Sequence, residues 1–547
     1  MFKYSLFYFI TTCVLFYLLV LQIIYIWPFT IDDMYITLRY AKHWGEGIGL
    51  LWNPGAPPVE GYSNFSFVWF GRIAQMLGYD PVLVLKGAGV VGLFASCVAV
   101  FLLSRVWFLT SIALIPSLWL LAYKGQIIWS VSGLETTVYE ALICFSVFFI
   151  YQGLGYGLYP KKRGGYRAFS FFLSGLCLSV AGMTRPEAPA LMALFFIILL
   201  ISPARLKQTS EMHSAQTKPH PPREHFRLRS LETGIWQKVL ARFKPKFSIE
   251  DLRFRQCLMV FCLTILLCFV PYFLWRWHYF GHLLPNTVYC KGLIGNYFEL
   301  DKRYFYFIWP FVLLVLPLFW FQRDARHEFL WLPSLLYAIL LIKADPIVAF
   351  DNRLFLPVFA LFLPYALQGI SFLVDALFRI EKGSLRLISL YLASFLVVLF
   401  FIPMLSLAQY RQFSKLPVSG EHLRQQVVTW LYQHVTPGKT IVLADSGYIP
   451  YYSSYPFIDS YCLNNADMTQ GDLLTMYQRL CERILQIHPD VVILTALIDE
   501  GKVTYTPADI CLAQKLNQNN QYCFMESFRT EGENSFYRYE IFQGKIV

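Results

Sequence analysis

Long apolar runs recur through the first 408 residues of the chain, and they constrain its fold more than any other feature of the sequence. A run of about 20 apolar residues forms a helix long enough to cross the hydrocarbon core of a bilayer. We count about eleven such runs. They cover residues 6–27, 82–104, 107–123, 137–153, 168–184, 187–201, 257–277, 304–321, 327–343, 354–376 and 387–408. The sequence therefore predicts an α-helical polytopic membrane protein, with residues 1–408 as its transmembrane domain.

Composition agrees with a membrane protein and argues against a nucleic-acid-binding one. Of the 547 residues, 56% are hydrophobic and only 15% are charged, which is too apolar for one soluble domain. The formal net charge is +11, but much of the excess of Lys and Arg lies in loops between apolar runs, where orientation in the membrane explains it better. The expected partner is the lipid bilayer, and no nucleic acid.

The distribution of basic residues predicts which loops face the cytoplasm. Lys3 precedes the first run and no small-residue cleavage site follows it, so we interpret this run as a retained span with a cytoplasmic N-terminus. Alternating the spans then places loop 202–256, which contains 12 Lys and Arg, in the cytoplasm. We interpret this loop as a linker attracted to lipid headgroups rather than as a regulatory tail. The first loop, 29–80, and everything after residue 408 face outward.

Residues 409–547 have the character of a soluble domain. Helical periodicity at 423–435 and 472–487 alternates with short apolar stretches at 438–445 and 490–495 that are typical of buried strands. Helices that alternate with strands predict a C-terminal external α/β domain. This segment contains no glycine-rich phosphate-binding loop, so we assign it no nucleotide.

The cysteines indicate neither a metal site nor a defined disulfide framework. The chain has 12 of them, with no CxxC pair and no metal-ligand spacing. Four lie in the C-terminal domain, at Cys462, Cys481, Cys511 and Cys523. One disulfide among them fits an external domain, and four buried thiols fit nearly as well. Spacing alone chooses no pairing.

Two adjacent aspartates, Asp32 and Asp33, carry the most suggestive chemistry in the chain. They follow the first apolar run within about one helical turn of Trp27 and Pro28, where aromatic side chains mark the boundary between membrane and water. Such a pair offers a general base beside a partly desolvated partner, or two oxygen ligands for a divalent cation. The plain alternative is a helix that begins with acidic residues because the helix dipole favours them.

A series of short motifs surrounds these aspartates. In order along the chain they are Asp32-Asp33-Met34-Tyr35-Ile36, Arg39-Tyr40-Ala41, 46–50 (EGIGL), Asn53-Pro54-Gly55 and 59–63 (VEGYS). They resemble the first external loop of GT-C integral-membrane glycosyltransferases, which transfer a sugar from a polyprenyl-phosphate carrier. The resemblance is greatest to the terminal arabinofuranosyltransferases of actinobacterial cell walls, whose members read approximately DDAYI, RYA, EGxGLVxNPG and VEGYT.

Six later stretches resemble motifs of the same family. They are 133–136 (GLET), 184–187 (TRPE), 284–292 (LPNTVYCKG), 351–357 (DNRLFLP), 445–452 (DSGYIPYY) and 457–460 (FIDS). In the expected topology all six face outward, which favours a single external site. The resemblance covers both domains but not loop 202–256. The chain departs from the family pattern where Cys462 replaces a glycine, which leaves the acceptor contacts open, and where Ala188 follows Glu187.

The resemblance implies a function. It implies an inverting glycosyltransferase in a bacterial inner membrane that transfers a sugar from a polyprenyl-phosphate donor to a glycan or glycolipid acceptor on the outer face. Arabinose is the sugar that the family branch implies. Two other functions fit part of the sequence, namely a transporter or flippase for lipid-linked sugars and a non-catalytic subunit of envelope biogenesis. A transporter would place charges near the bilayer midplane, whereas here the charges gather at the outer ends of the spans.

The resemblance also implies roles for individual residues. We expect Asp32 to deprotonate the acceptor hydroxyl and Asp33 to orient Asp32 or the acceptor. Cations should stabilise the departing phosphate, with Lys291 as the first choice, then Arg353 and Arg185. We expect the remaining motif residues to bind substrate or shape the site: Arg39, Asn53, Glu60, Tyr62, Glu135, Glu187, Asn286, Thr287, Tyr451 and Asp459.

Plainer readings of single residues stay open. Lys291 and Arg353 could extend to lipid headgroups without binding substrate, while Arg185 and Glu135 could simply favour a helix end. The displacement itself requires no cofactor, although Asp32 and Asp33 could be two ligands of a divalent cation.

The topology can be tested by labelling with a membrane-impermeant thiol reagent. In proteins whose single cysteine is Asn519→Cys or Thr217→Cys, we expect intact cells to label the first and to spare the second, because the first lies in the external domain and the second in the basic loop. Permeabilised cells should label both. Labelling of Thr217→Cys in intact cells would refute the topology.

Overall fold

The fold was determined as a computed structural model. It describes residue 13 and residues 16–17, 19–161, 164–201, 249–291, 296–322, 324–346, 349–378, 384–465, 475–518, 521–530 and 535–545. Residues 6–12, 14, 15 and 18 of the first predicted span and residues 202–248 of the basic loop lie outside the described residues, and residues 19–26 of that span are helical.

The described part of residues 1–413 is helical, and its helices follow the predicted apolar runs closely. The helices are α1 (Asp32–Gly45), α2 (Phe65–Met76), α3 (Pro81–Ser104), α4 (Thr110–Ala113), α5 (Ile115–Ala122), α6 (Lys124–Val131), α7 (Thr136–Gly153), α8 (Ala168–Thr184), α9 (Ala188–Ile201), α10 (Ile249–Cys268), α11 (Val270–Phe280), α12 (Asn286–Lys291), α13 (Glu299–Phe321), α14 (Glu328–Leu340), α15 (Leu356–Phe378), α16 (Ser384–Phe401) and α17 (Leu407–Phe413). Helix α10 begins inside the segment predicted as the basic loop.

Several of these helices are able to cross a membrane. Among the described residues, five are long and apolar enough, and a bent pair adds a sixth candidate. The five are Pro81–Ser104, Thr136–Gly153, Leu252–Phe280, Glu299–Phe321 and Arg353–Leu377. Three shorter apolar helices are α8, α9 and most of α16. The chain is thus an α-helical membrane protein, while the total of about eleven spans stays a prediction.

The bent pair is the one span that the sequence did not describe well. Helices α4 and α5 form its first part and α6 its second, with a bend of 67° between them. Lys124, Gly125 and Gln126 interrupt the apolar pattern here, so the sequence ended the span at residue 123. Helix α6 supports a later loop, because Lys124 pairs with Asp351 at 2.9 Å and Trp129 Nε1 donates to the carbonyl of Phe350 at 3.0 Å.

Residues 415–545 form an α/β domain, as predicted. Its elements are α18 (Lys415–His434), β1 (Ile441–Leu443), α19 (Tyr448–Tyr452), β2 (Phe457–Asp459), α20 (Met476–Ile487), β3 (Val491–Asp499), β4 (Lys502–Tyr505), α21 (Pro507–Gln518), β5 (Tyr522–Arg529) and β6 (Ser535–Gly544). The strand order is β2-β1-β3-β6-β5, with β4 paired to β3. Strands β1, β2 and β3 are parallel, whereas β4, β5 and β6 run antiparallel to their neighbours.

The sheet is larger than the two strands predicted from the sequence. Strand β3 is buried on both faces over most of its length, which is why its continuous apolar run was recognised. Strand β5 is largely exposed and β2 has only three residues, so neither has an apolar run of the length that identifies a strand.

Two disulfides are present. Cys481 pairs with Cys511 within the domain, and Cys290 pairs with Cys462, which joins α12 to the C-terminal domain across 172 residues of sequence. Cys523 is free and exposed. The sequence analysis left the pairing open and did not consider Cys290 as a partner, because it weighed only the four cysteines of the C-terminal domain.

Peptide mapping without reduction can test this pairing. We expect linked peptides containing Cys290 with Cys462 and Cys481 with Cys511, together with an alkylated Cys523. Reduction before alkylation is the control and should release all four linked cysteines. A link from Cys462 to Cys523 would contradict the structure.

Candidate active site

A cavity of about 370 Å³ lies between the helical part of the chain and the C-terminal domain. Eight of the residues predicted for the site line it: Asp33, Tyr62, Glu135, Arg185, Glu187, Thr287, Lys291 and Arg353. They come from α1, the first loop, the start of α7, the turn between α8 and α9, helix α12 and the loop before α15. The structure therefore brings together in one place residues of six separate motifs that the sequence analysis identified.

The cavity lining contains both charged and apolar side chains. The apolar lining residues include Leu284, Val288, Leu340, Leu341 and Leu354, with Leu463 from the C-terminal domain. Apolar lining residues accommodate a hydrocarbon chain, while the charged ones accommodate a polar group. The cavity is thus suited to a ligand that is amphipathic along its length.

Asp33 and Lys291 form an ion pair in the lining of this cavity. Lys291 Nζ lies 3.4 Å from Asp33 Oδ2 and 5.5 Å from the centre of the Tyr461 ring. The Asp33 side chain is 29% exposed and that of Lys291 is 20% exposed. Both groups are therefore held in place but remain accessible to a ligand.

Glu135 is the centre of a buried ion network beside them. Its Oε1 lies 2.8 Å from Arg185 Nη1 and 3.3 Å from Arg353 Nη2, and its Oε2 accepts from Asn64 Nδ2 at 2.8 Å. Arg185 also pairs with Glu187 at 2.5 Å, as the sequence suggested. Burial would raise the pKa of the Glu135 carboxyl, but the guanidinium groups of Arg353 and Arg185 hold that pKa below its ordinary value.

Gly133 explains how Glu135 comes so close to α1. Its φ of +78° lies in the left-handed region that favours glycine. A Cβ at this position would lie 2.0 Å from the sulfur of Met34. Only glycine lets the 133–136 turn pack directly on the helix that carries Asp33.

Arg353 is held by more than its ion pair. Its Nε donates to Thr136 Oγ1 at 3.2 Å, and its guanidinium lies 4.7 Å from the centre of the Trp129 ring on α6. The bent span therefore helps to place this cation at the cavity wall.

Two hydroxyl groups at the cavity lack a protein partner. Within the part of the chain that the structure describes, the Tyr62 hydroxyl and Thr287 Oγ1 are buried and make no hydrogen bond. Leaving a buried polar group unsatisfied costs about 1–3 kcal/mol. Both residues line the cavity, but the two oxygen atoms themselves are buried rather than exposed to it.

Asp32 does not line the cavity. Its carboxylate accepts from the backbone N–H groups of Gly447 and Tyr448, both at 2.9 Å, and lies 3.1 Å from Arg424 Nε. Burial raises the pKa of Asp32 to about 6, although Arg424 opposes this shift. The structure thus turns the two adjacent aspartates to different partners.

Arg39 and Asn53 also lie outside the cavity lining and join the two domains. Asn53 donates to the carbonyl of Phe457 at 2.8 Å and accepts from its N–H at 3.1 Å. Arg39 donates to the carbonyls of Trp52 at 2.9 Å and Tyr455 at 3.2 Å. These contacts dock the C-terminal domain on the first loop.

Glu60 and Asn286 hold in place helix α12, which carries Lys291. Glu60 accepts from Arg276 Nε at 2.7 Å, and its own carbonyl accepts from the N–H of Asn286 at 3.0 Å. The side-chain amide of Asn286 donates to the carbonyls of Cys462 and Leu463 at 3.0 and 2.8 Å. Burial raises the pKa of Glu60 to about 7, although Arg276 opposes this shift.

Tyr451 and Asp459 are placed away from the cavity lining as well. Asp459 is buried and accepts from the N–H groups of Tyr461, Cys462 and Asn464 at 2.7–3.0 Å, which shapes the turn that presents Leu463. The Tyr451 ring packs 5.8 Å from that of Tyr35. Asp459 therefore stabilises a turn next to the cavity, and Tyr451 contributes to the contact between the domains.

The sequence analysis missed three residues that the structure places at or next to the site. Asn64 and Asp345 line the cavity, and Arg424 binds Asp32. The signal for Asp345 was an acidic residue directly after an apolar run, at the predicted outer end of a span. Asn64 and Arg424 carry no comparable signal, because polar residues are common in external loops and on exposed helices.

The structure gives no support to a divalent cation held by Asp32 and Asp33 together. Asp32 binds two N–H groups and an arginine, whereas Asp33 faces Lys291. Among the described residues, no group of three or more His, Cys, Asp and Glu side chains is arranged to hold a metal ion.

Sequence comparison gives limited information. Residues 409–542 match a family described as a domain of unknown function (DUF8728). No curated protein matches the chain. These comparisons assign no activity to either domain.

Comparison of structures is more informative. ArnT from Cupriavidus metallidurans, bound to undecaprenyl phosphate, is similar with a TM-score of 0.53 and 10% identity, over 97% of both chains. The oligosaccharyltransferase of Archaeoglobus fulgidus in the apo form is similar with a TM-score of 0.53 and 10% identity, over 95% of this chain and 80% of that one. AglB of the same organism, in complex with an inhibitory peptide and a dolichol-phosphate, is similar with a TM-score of 0.50 and 10% identity, over 90% of this chain and 74% of that one. This chain has the fold of GT-C glycosyltransferases.

The Glu135 network can be tested by its effect on stability. Glu135→Gln leaves two buried guanidinium groups without their shared carboxylate, which costs about 3–5 kcal/mol for a buried pair. We expect a clear fall in melting temperature in detergent. The control is Glu299→Gln, because the ion pair of Glu299 with the exposed Arg303 is worth about 1 kcal/mol or less. Equal melting temperatures for the two variants would contradict the assigned role of Glu135.

Proposed function

We propose that the protein is a membrane glycosyltransferase that uses a polyprenyl-phosphate-linked sugar as donor. The observation that carries this proposal is Lys291, a partly accessible cation in a cavity that is lined by both charged and apolar side chains. A polyprenyl-phosphate donor has matching groups, namely a hydrocarbon chain, a phosphate and a sugar. The GT-C fold supports this proposal.

Among the cavity cations, Lys291 is best suited to meet the phosphate. Arg185 is engaged by two carboxylates and Arg353 by Glu135 and Thr136. Lys291 has one acidic partner at 3.4 Å, which is long for a charge-assisted hydrogen bond. We propose that the phosphate binds to Lys291, near Leu284 and Val288. Arg353 is a second cation in the lining of the same cavity.

The geometry favours Asp33 rather than Asp32 as the general base. Asp33 lines the cavity and Asp32 does not. In the proposed reaction, Asp33 accepts the proton of an acceptor hydroxyl and the acceptor oxygen bonds to the anomeric carbon. The bond from that carbon to the phosphate oxygen breaks, and the polyprenyl phosphate leaves with its charge stabilised by Lys291. A single displacement inverts the anomeric configuration.

The identity of the sugar and the acceptor is proposed from the motif resemblance. It suggests a pentofuranose such as arabinose, transferred to a cell-envelope glycan or glycolipid on the outer face of a bacterial inner membrane.

The roles of the two aspartates can be separated by mutation. We expect Asp33→Asn to lower kcat by about 100-fold or more because the base is lost, with little change in donor KM. Asp32→Asn should lower kcat less. Transfer assays with purified protein would show this difference, and the reverse order would assign the base to Asp32, as the sequence analysis first did. Turnover that persists after EDTA treatment would exclude a catalytic divalent cation as the reason for the loss.

The donor class can be tested together with Lys291. We expect transfer from a polyprenyl-phosphate sugar and none from a nucleotide sugar. Lys291→Ala should raise donor KM and lower kcat because a charge-assisted contact is lost, and Lys291→Arg should retain part of the activity. Lys302→Ala, at an exposed lysine of α13, is the matched control and should behave as wild type. Efficient use of a nucleotide sugar would refute the proposal.

A further inference from the structure

Helix α18 of the C-terminal domain contacts the start of α1, the helix that carries Asp33. Arg424 on α18 lies 3.1 Å from the Asp32 carboxylate. Glu421, one turn earlier on α18, accepts hydrogen bonds from Thr30 and from the Tyr35 hydroxyl at 2.9 Å. Residues three apart lie on the same face of a helix, so one face of α18 holds α1 on both sides of Asp33.

We infer that Arg424 and Glu421 are positioning residues, which hold the first turn of α1 so that Asp33 faces the cavity. This inference rests on the proposed function, because it assigns the C-terminal domain a role in the transfer reaction. The domain then does more than contribute Leu463 to the cavity wall. The C-terminal domain also determines which way the side chain of Asp33, the proposed base, points.

The start of α1 depends on these contacts because it has little local support. Its N-cap residue is Ile31, whose side chain accepts no hydrogen bond from the helix. Helix ends without a capping side chain have unsatisfied N–H groups and fray readily. The acidic first turn is favoured by the helix dipole, but the dipole does not choose which aspartate faces the cavity.

The approach of the two domains at this point is very close. A Cβ on Gly447 would lie 2.1 Å from the carbonyl oxygen of Asp32 and 2.4 Å from its Oδ2. A glycine is therefore needed for the N–H groups of Gly447 and Tyr448 to reach the Asp32 carboxylate. The C-terminal domain thus gives Asp32 two N–H donors and the charge of Arg424 at 3.1 Å.

Arg424 also balances two carboxylates. Its Nη2 lies 2.9 Å from Asp445 Oδ2, and Asp445 Oδ1 accepts from the Tyr537 hydroxyl at 2.8 Å. The side chains of Asp32, Arg424 and Asp445 are each less than one-fifth exposed. Loss of the guanidinium would leave two poorly hydrated carboxylates near one another, which would push the Asp32 end of α1 away from the domain.

The test compares Arg424→Gln, Arg424→Lys and the double variant Arg424→Gln/Asp445→Asn with wild type. Misplacement of a reacting group by about 1 Å can cost 100-fold in rate. We therefore expect Arg424→Gln to lower kcat by about 10- to 100-fold while donor KM changes little. Arg424→Lys should retain part of kcat. The double variant should recover part as well, because it removes the unbalanced carboxylate.

Hydrogen exchange gives a second measurement that does not depend on activity. The amides of peptide 30–36 should exchange faster in Arg424→Gln than in wild type. In the double variant they should exchange more slowly than in Arg424→Gln. Exchange in strand β3 (491–499) should be unchanged, which shows that the domain remains folded. The matched control is Lys439→Gln, which removes an exposed ion pair of the same domain with Asp490 and should change neither measurement.

Three results would overturn the inference, and a fourth would separate it from the proposed function. Unchanged exchange at 30–36 in Arg424→Gln would overturn the inference. So would an unchanged kcat in that variant, or a rise in donor KM with no fall in kcat. If wild-type protein transfers no sugar from any polyprenyl-phosphate donor, yet exchange at 30–36 still depends on Arg424, the proposed function fails while the role of Arg424 in holding α1 is supported.

Discussion

The candidate site depends first on the buried carboxylate of Glu135. It joins three elements distant in sequence, because it binds Asn64 of the first loop, Arg185 between α8 and α9, and Arg353 before α15. Its side chain is 1% exposed. A charge buried to this extent is tolerated only when it is paired, and the pairing in turn draws the loops together at the start of α7. The contacts of Glu135 therefore hold Asn64, Arg185 and Arg353 in the cavity lining.

A second set of contacts, between the domains, closes the cavity on its other side. Asn53 pairs with the backbone of Phe457, Asn286 binds the carbonyls of residues 462 and 463, and a disulfide joins Cys290 to Cys462. Lys291 follows directly on one half of this disulfide and Leu463 on the other. The charged and the apolar part of the cavity are therefore positioned by the same junction.

Much of the helical part could be predicted from the sequence, because long apolar runs have few alternatives to membrane helices. Helix α6 could not, since Lys124 and Gln126 gain partners only in the folded chain. The motifs contain the eight predicted site residues that line the cavity, yet they did not show which of the two aspartates faces it. Successive residues of a helix point about 100° apart, so Asp32 and Asp33 meet different domains, and sequence spacing does not choose between them. Arg39, Asn53 and Asp459 are likewise polar residues of motifs that hold the domains or a turn in place.

The central claim is that the phosphate of a lipid carrier binds to Lys291 in the cavity, with the hydrocarbon chain against the apolar lining residues. The most direct measurement is an experimental structure of the protein with a bound polyprenyl phosphate. The account predicts phosphate density within hydrogen-bonding distance of Lys291 Nζ, near Arg353, with the hydrocarbon chain along Leu284, Val288 and Leu340. A phosphate bound outside this cavity, with Lys291 still paired to Asp33, would contradict it.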